Sequence, residues 1–211
     1  MEMREQLINQ IVEQEWEMFI RVSNEGGRAS CQDDRITFDI MRRSQFVIWN
    51  QEALTSYLED LERAGTEARN LMTEKYGYMM ADTAPAEYER IRSRLPQISK
   101  EKQRLTERLV EIQVAWMEAF RQQFPEYGSQ GRALRNSEAL PGDTSIETYA
   151  RGELLTYSEK TLDALSRCFE QMKEAGINGG FLIMEETARR YGFPSLEAAE
   201  EQCRRNCRKN I

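Results

Sequence analysis

The chain has 211 residues and a net charge of −7, with 40% hydrophobic and 31% charged residues and no histidine. That acidic balance argues against a nucleic-acid partner, which selects a basic surface. No apolar run exceeds four residues, as in Phe181 to Met184, so no membrane partner is expected. The charged N-terminus lacks the apolar stretch of a secretory signal, and a cytoplasmic protein with reduced cysteines is expected.

Gly (12) and Pro (5) are scarce, which suits long helices. The hydrophobic period is helical almost throughout. Residues 3–23 predict a first helix and 35–49 a second. A long third helix runs over 51–81, with Gly65 as a possible bend. Thr83-Ala-Pro85 reads as a cap with an early helical proline and opens a short helix to 94. Pro96 breaks it, and Ser99 caps the next, which runs to 123. Residues 125–144 (PEYGSQGRALRNSEALPGDT) form one long irregular segment. A helix over 145–175 follows, then a short one over 181–191 that stops at Gly192-Phe193-Pro194. Ser195 caps the last helix, with Glu197 in its first turn against the helix dipole. No strand, repeat or linker interrupts this pattern. The fold class is all-α: a single-domain bundle of seven or eight helices over 1–211.

Wrapping each helix at about 100° per residue places several polar groups on apolar faces. Glu15 falls among Ile8, Phe19 and Val22. Arg42 and Gln45 sit among Phe38, Met41, Ile48 and Trp49. Ile36, Ile40 and Val47 lie opposite, so this second helix is expected to be buried on both faces. Lys75 falls among Tyr57, Leu61, Ala68, Leu71 and Met79, and Gln113 lies in the stripe of the 97–123 helix. Glu147, Arg151 and Ser158 lie on the apolar line of the 145–175 helix. An unpaired buried charge costs several kcal/mol, so these groups must pair, reach solvent or line a wet cavity. Two arrangements satisfy this. One is a structural network in which Glu15 pairs with Arg42, and Glu147 with Arg151. The other is a polar pocket between helices.

The stretch Gly26 to Asp34 (GGRASCQDD) joins the first two helices. Its glycines permit a turn with positive φ, and Asp33 or Asp34 can cap the second helix. Three chemical readings stand beside that plain one. Cys31 precedes a helix N-terminus and lies three residues from Arg28, features that favour a thiolate nucleophile, although no histidine exists to act as base. Asp33 and Asp34 could join Glu13 or Glu15 around magnesium, as in a hydrolase of phosphorylated substrates, although paired E-x-x-E spacing is not clear. Arg28 could clamp an anion, with Arg42 and Arg151 behind it. A zinc site is not expected: Cys203 and Cys207 lie one turn apart, but no further ligand completes a set. The basic end, Arg204 to Lys209, offsets the last helix's dipole.

The runs Trp16 to Phe19 (WEMF), Asn24 to Asp34 (NEGGRASCQDD), Thr37 to Arg42 (TFDIMR) and Ser44 to Phe46 (SQF) form a specific motif string. Asn70 to Tyr76 (NLMTEKY), Glu147 to Ser158 (ETYARGELLTYS) and Tyr191 to Glu200 (YGFPSLEAAE) continue it. Together they resemble a bacterial family known only as a domain of unknown function. The resemblance covers nearly the whole chain and implies a bacterial cytoplasmic protein. It supplies no activity, catalytic residue or cofactor.

Two functional expectations follow. The first is a protein that binds a small polar or anionic metabolite, and that could be an enzyme. Its candidate residues are Glu15, Arg28, Cys31, Asp33, Asp34, Arg42, Gln45 and Arg151. Glu15 is the acid–base candidate, since burial favours the neutral carboxyl, and Cys31 is the nucleophile candidate. The arginines would hold negative groups. The second is a non-enzymatic helical adaptor or regulator that binds another protein. Either is compatible with a homo-oligomer, and neither implies a cofactor.

Overall fold

A computed structural model describes residues 2–23 and 27–209, the side chains of Arg208 and Lys209 excepted. Among the described residues every regular element is helical. Eleven α-helices follow in order: α1 (Glu2–Phe19), α2 (Arg35–Phe46), α3 (Gln51–Thr66), α4 (Leu71–Thr83), α5 (Pro85–Ile91), α6 (Lys100–Gln123), α7 (Pro125–Gly128), α8 (Ile146–Leu154), α9 (Glu159–Glu174), α10 (Gly179–Arg190) and α11 (Leu196–Lys209). The all-α expectation holds, while the expected seven or eight helices is an undercount.

The undercount has physical causes. The stretch read as one helix over 51–81 is two. After α3 the chain passes through Ala68 at φ 54°, a left-handed conformation that costs an L-residue about 1–2 kcal/mol. Arg69 N–H then bonds back to the Ala64 carbonyl, closing the helix end. Asn70 restarts the chain, its side chain accepting from the Thr73 amide. Glycine usually marks such a break, and here alanine occupies the place, so the periodicity ran through it.

The expected 145–175 helix also divides. Ser158, read as an inward polar residue, instead caps α9 by accepting from the Thr161 amide. Its own N–H donates to Asp60 Oδ2 at 2.8 Å, and Thr161 Oγ1 donates to the same oxygen at 2.7 Å. Asp60, buried on α3, therefore fixes the α8–α9 turn across the core. The segment over 125–144 is not wholly irregular, since it opens with α7 and contains a 3-10 turn over Asn136–Glu138. Its far end is tied to α8: the Ala133 and Leu134 carbonyls accept from the Ile146 and Glu147 amides, and Glu147 Oε2 accepts from the Asn136 amide.

One hydrophobic cluster runs from Ile8 on α1 to Ile183 on α10. Within it α1 packs on α3, α4 on α8, and α6 on both α8 and α9. Two glycines allow close approach. A Cβ on Gly152 would lie 2.5 Å from Met79 Cγ and 2.9 Å from the Lys75 carbonyl oxygen, so α8 and α4 touch almost backbone to backbone. A Cβ on Gly179 would lie 2.5 Å from the Trp116 ring. The expectation that α2 is buried on both faces fails: Ile36 is 76% exposed and Val47 37%. Its inward face, with Arg42, Ser44 and Phe46, is the buried one. No described helix is long and apolar enough to cross a membrane.

Candidate functional site: a buried charge network

Five helices and one turn bring six polar side chains together inside the core. Glu15 on α1 is fully buried, and its two oxygens face the guanidinium of Arg42 on α2. Arg42 Nε donates to Oε2 at 2.7 Å and Nη2 to Oε1 at 2.6 Å, a two-point pair. The Tyr57 hydroxyl on α3 donates to Glu15 Oε1 at 2.7 Å. Arg42 reaches further: its Nη1 donates to both oxygens of Glu153 on α8, at 2.9 and 3.2 Å. Lys75 on α4 donates to Glu153 Oε2 at 2.5 Å. The Tyr157 hydroxyl, in the turn between α8 and α9, donates to Glu153 Oε1 at 2.7 Å. Two cations thus meet two carboxylates, and the network is neutral overall.

Aromatic rings enclose the inner end. Tyr57 and Tyr157 lie 4.5 Å apart by ring centroid, with Trp49 against both, and the Arg42 guanidinium sits 5.0 Å over Phe46. The outer end differs. Lys75 is 2% exposed by side chain, whereas Glu153 is 13% exposed. The Lys75 ammonium lies 3.5 Å from the centre of the Tyr149 ring, and Arg132 lies 5.3 Å from the same ring. The tie between the 125–144 segment and α8 is what brings Arg132 there.

The charges shift one another's proton affinities in a consistent sense. Burial alone would raise the Glu153 carboxyl, but Arg42 and Lys75 beside it outweigh burial and hold it well below the usual carboxylate range. Burial opposes the charged forms of Arg42 and Lys75 as well. Glu15 and Glu153 hold Arg42 charged, and Glu153 holds Lys75 above its ordinary value. Burial and the nearby carboxylates push both Tyr57 and Tyr157 up, so their hydroxyls stay protonated as donors. At the outer end Tyr76 is pushed up to about 12, first by burial, then by Tyr149, with a smaller contribution from Cys31.

The structure therefore joins Glu15 and Arg42, and it adds Lys75. The other candidates fall elsewhere. Arg151 holds Glu107, Glu147 and Asp82 in a separate, half-exposed cluster beside α6. The expected Glu147–Arg151 pair is part of it. Gln45 is half-buried and lies outside the network.

The loop before α2 closes the end of α1. The last carbonyls of a helix lack partners within it. Here the buried Gln32 side chain donates to the Phe19 and Val22 carbonyls, each at 2.9 Å. Arg28 donates to the Ile20 carbonyl at 3.0 Å and to Asp33 at 2.8 Å. Asp34 caps α2, accepting from the Thr37 amide. Gly27 has the positive φ the turn requires, at 86°, while Gly26 lies outside the described residues. Arg28, Asp33 and Asp34 are thus engaged in the turn. Cys31 is exposed. Among the described residues no group of three or more acidic or cysteine side chains is arranged to hold a metal ion.

Glu153, Tyr57 and Tyr157 were not singled out from sequence. Two signals were available: Glu153 and Tyr157 lie four apart, and Gly152 inside a helix marks a close neighbour. In comparisons with known proteins, the profile of a family described as "Protein of unknown function (DUF4125)" matches residues 5–201. No curated protein and no solved structure matches.

Proposed function

We propose that this chain, which belongs to the DUF4125 family, binds a small anionic molecule at the Glu153 end of its buried network. One observation carries the reading: two fixed cations, Arg42 and Lys75, converge on a single carboxylate that still touches solvent. The Tyr149 ring covers the Lys75 ammonium at that point with aromatic surface, and such a mix of apolar walls and few charged groups is typical of ligand sites. Glu15 serves here by holding Arg42 in place, since its enclosed carboxylate has no face left for a ligand. Cys31, whose thiol is exposed, is a candidate contact.

Thermal unfolding of the wild-type chain against a panel of small carboxylates and phosphorylated metabolites tests the reading. At least one should raise the midpoint saturably, by about 3–6 °C at tenfold its dissociation constant. A panel silent to high millimolar levels would overturn it. A second reading has an observation of its own in the complete mutual pairing of the four charges. On that reading the network is structural, and the molecule acts as a helical adaptor or regulator for another protein. A silent panel, together with a stable complex formed with a second protein, would favour it.

A further inference from the structure

We infer that the Glu153 side chain is the resident occupant of a carboxylate seat, and that a monocarboxylate ligand binds by taking its place. The inference deepens the proposed function and rests on it. Around the Glu153 carboxylate stand Lys75 Nζ at 2.5 Å, Tyr157 OH at 2.7 Å and Arg42 Nη1 at 2.9 and 3.2 Å. These donors address two coplanar oxygens. Tyr157 and Arg42 take Oε1, and Lys75 and Arg42 take Oε2. The set suits a two-oxygen anion and offers nothing directed at a third oxygen, as a phosphate would need.

Charge balance points the same way. With Glu15 and Glu153 in place, the two cations are neutralised. A monoanion replacing Glu153 preserves that balance. A dianion would leave one negative charge in excess against this mostly buried set, which is disfavoured. The seat's position allows the exchange. Its inner wall is fixed, because Arg42 is held at two points by buried Glu15, whereas Glu153 lies at the solvent-touching edge, paired with the Lys75 ammonium that the Tyr149 ring covers. Glu153 also sits near the C-terminal end of α8, one residue before its last, where the chain turns toward α9. A carboxylate that leaves the seat is already next to water.

The test removes the resident. Glu153→Ala should have a lower midpoint in chloride, and sodium acetate should raise it by about 3–6 °C at tenfold the dissociation constant. Sodium chloride and sodium phosphate at equal ionic strength should raise it less. Glu153→Asp keeps the charge but withdraws the carboxylate by one methylene. It should show the same acetate preference at smaller amplitude, and it serves if the alanine variant does not fold. Equal responses to the three salts in both variants, or a larger response to phosphate, would overturn the carboxylate seat. The two ideas fail separately. A selective acetate response in the variants beside a silent wild-type panel supports the seat and removes the proposed binding function. A responsive wild type with unselective variants does the reverse.

Discussion

Replacing Arg42 by methionine is expected to cost about 3–5 kcal/mol of stability and to lower the melting midpoint by about 10 °C or more. The reason is asymmetry. A complete buried network can be nearly neutral for stability, because pairing offsets desolvation. Removing Arg42 leaves Glu15 charged with no cation beside it and leaves Glu153 to Lys75 alone. Arg42 supplies both charged bonds to Glu15 and the inner contact to Glu153, so its loss strands the fully buried Glu15 carboxylate and weakens the hold on Glu153. Arg42→Lys should recover only part of the loss, because a point ammonium cannot engage two carboxylates through a planar fork.

The variant also changes the response to acid. Glu153 is depressed in the folded state relative to its ordinary value of 4.5. A depressed carboxyl contributes stability that is present above its unfolded value and is lost as pH falls toward the folded one. Wild type should therefore weaken progressively below about pH 4.5 from this group. In Arg42→Met the depression relaxes, and this group's share of the acid loss should shrink. Urea unfolding at neutral pH and across the acid range measures both effects. A loss under 1 kcal/mol at neutral pH would show that the network is not held by this arginine.

Gly152→Ala is expected to cost about 1–3 kcal/mol, a large effect for one methyl group on a helix. Alanine normally stabilises a helix interior relative to glycine by about 1 kcal/mol. Here the added Cβ would meet Met79 Cγ at 2.5 Å and the Lys75 carbonyl oxygen at 2.9 Å. The methionine side chain can move, but the backbone oxygen cannot without shifting α4. The next residue along α8 is Glu153, and the carbonyl in the way belongs to Lys75. The strain thus falls on the pair at the network's outer end. A lower midpoint together with weakened ligand or acetate response is the expected outcome. A gain in stability would mean that α4 and α8 do not approach this closely.

Glu15, Arg42 and Lys75 were legible in the sequence as inward-facing charges, whereas Glu153 was concealed, for a physical reason. On long helices such as α1, a stripe several turns long fixes the phase, so Glu15 could be placed on the buried side and matched with Arg42. Helix α8 has only nine residues and is packed against both α4 and α6. Two opposed sides of a short helix are then buried, and no single stripe exists to read. Arg151 points to Glu107 on α6, while Glu153 meets Lys75 on α4. Joining α8 to α9 as one helix imposed a phase that favoured Glu147, Arg151 and Ser158 and passed over Glu153. The loop before α2 was legible as a turn with an aspartate cap, and less so in its other polar residues. Its unusual composition suggested chemistry, whereas Gln32 and Arg28 answer to the unpaired carbonyls at the end of α1.

The central claim is that ligand enters where Lys75 and Arg42 share the Glu153 carboxylate. It is tested most directly by following the Lys75 ammonium and the Arg42 Nε–H in nitrogen-15 spectra of the wild-type chain during titration with acetate. Beneath the Tyr149 ring, the buried Lys75 ammonium should give a slowly exchanging, ring-shifted resonance. The expected result is a saturable shift of the Lys75 signal, with the Arg42 Nε–H, clamped by Glu15, left in place. A Lys75 signal that stays fixed to high millimolar acetate, or an Arg42 Nε–H that moves with it, would contradict the claim.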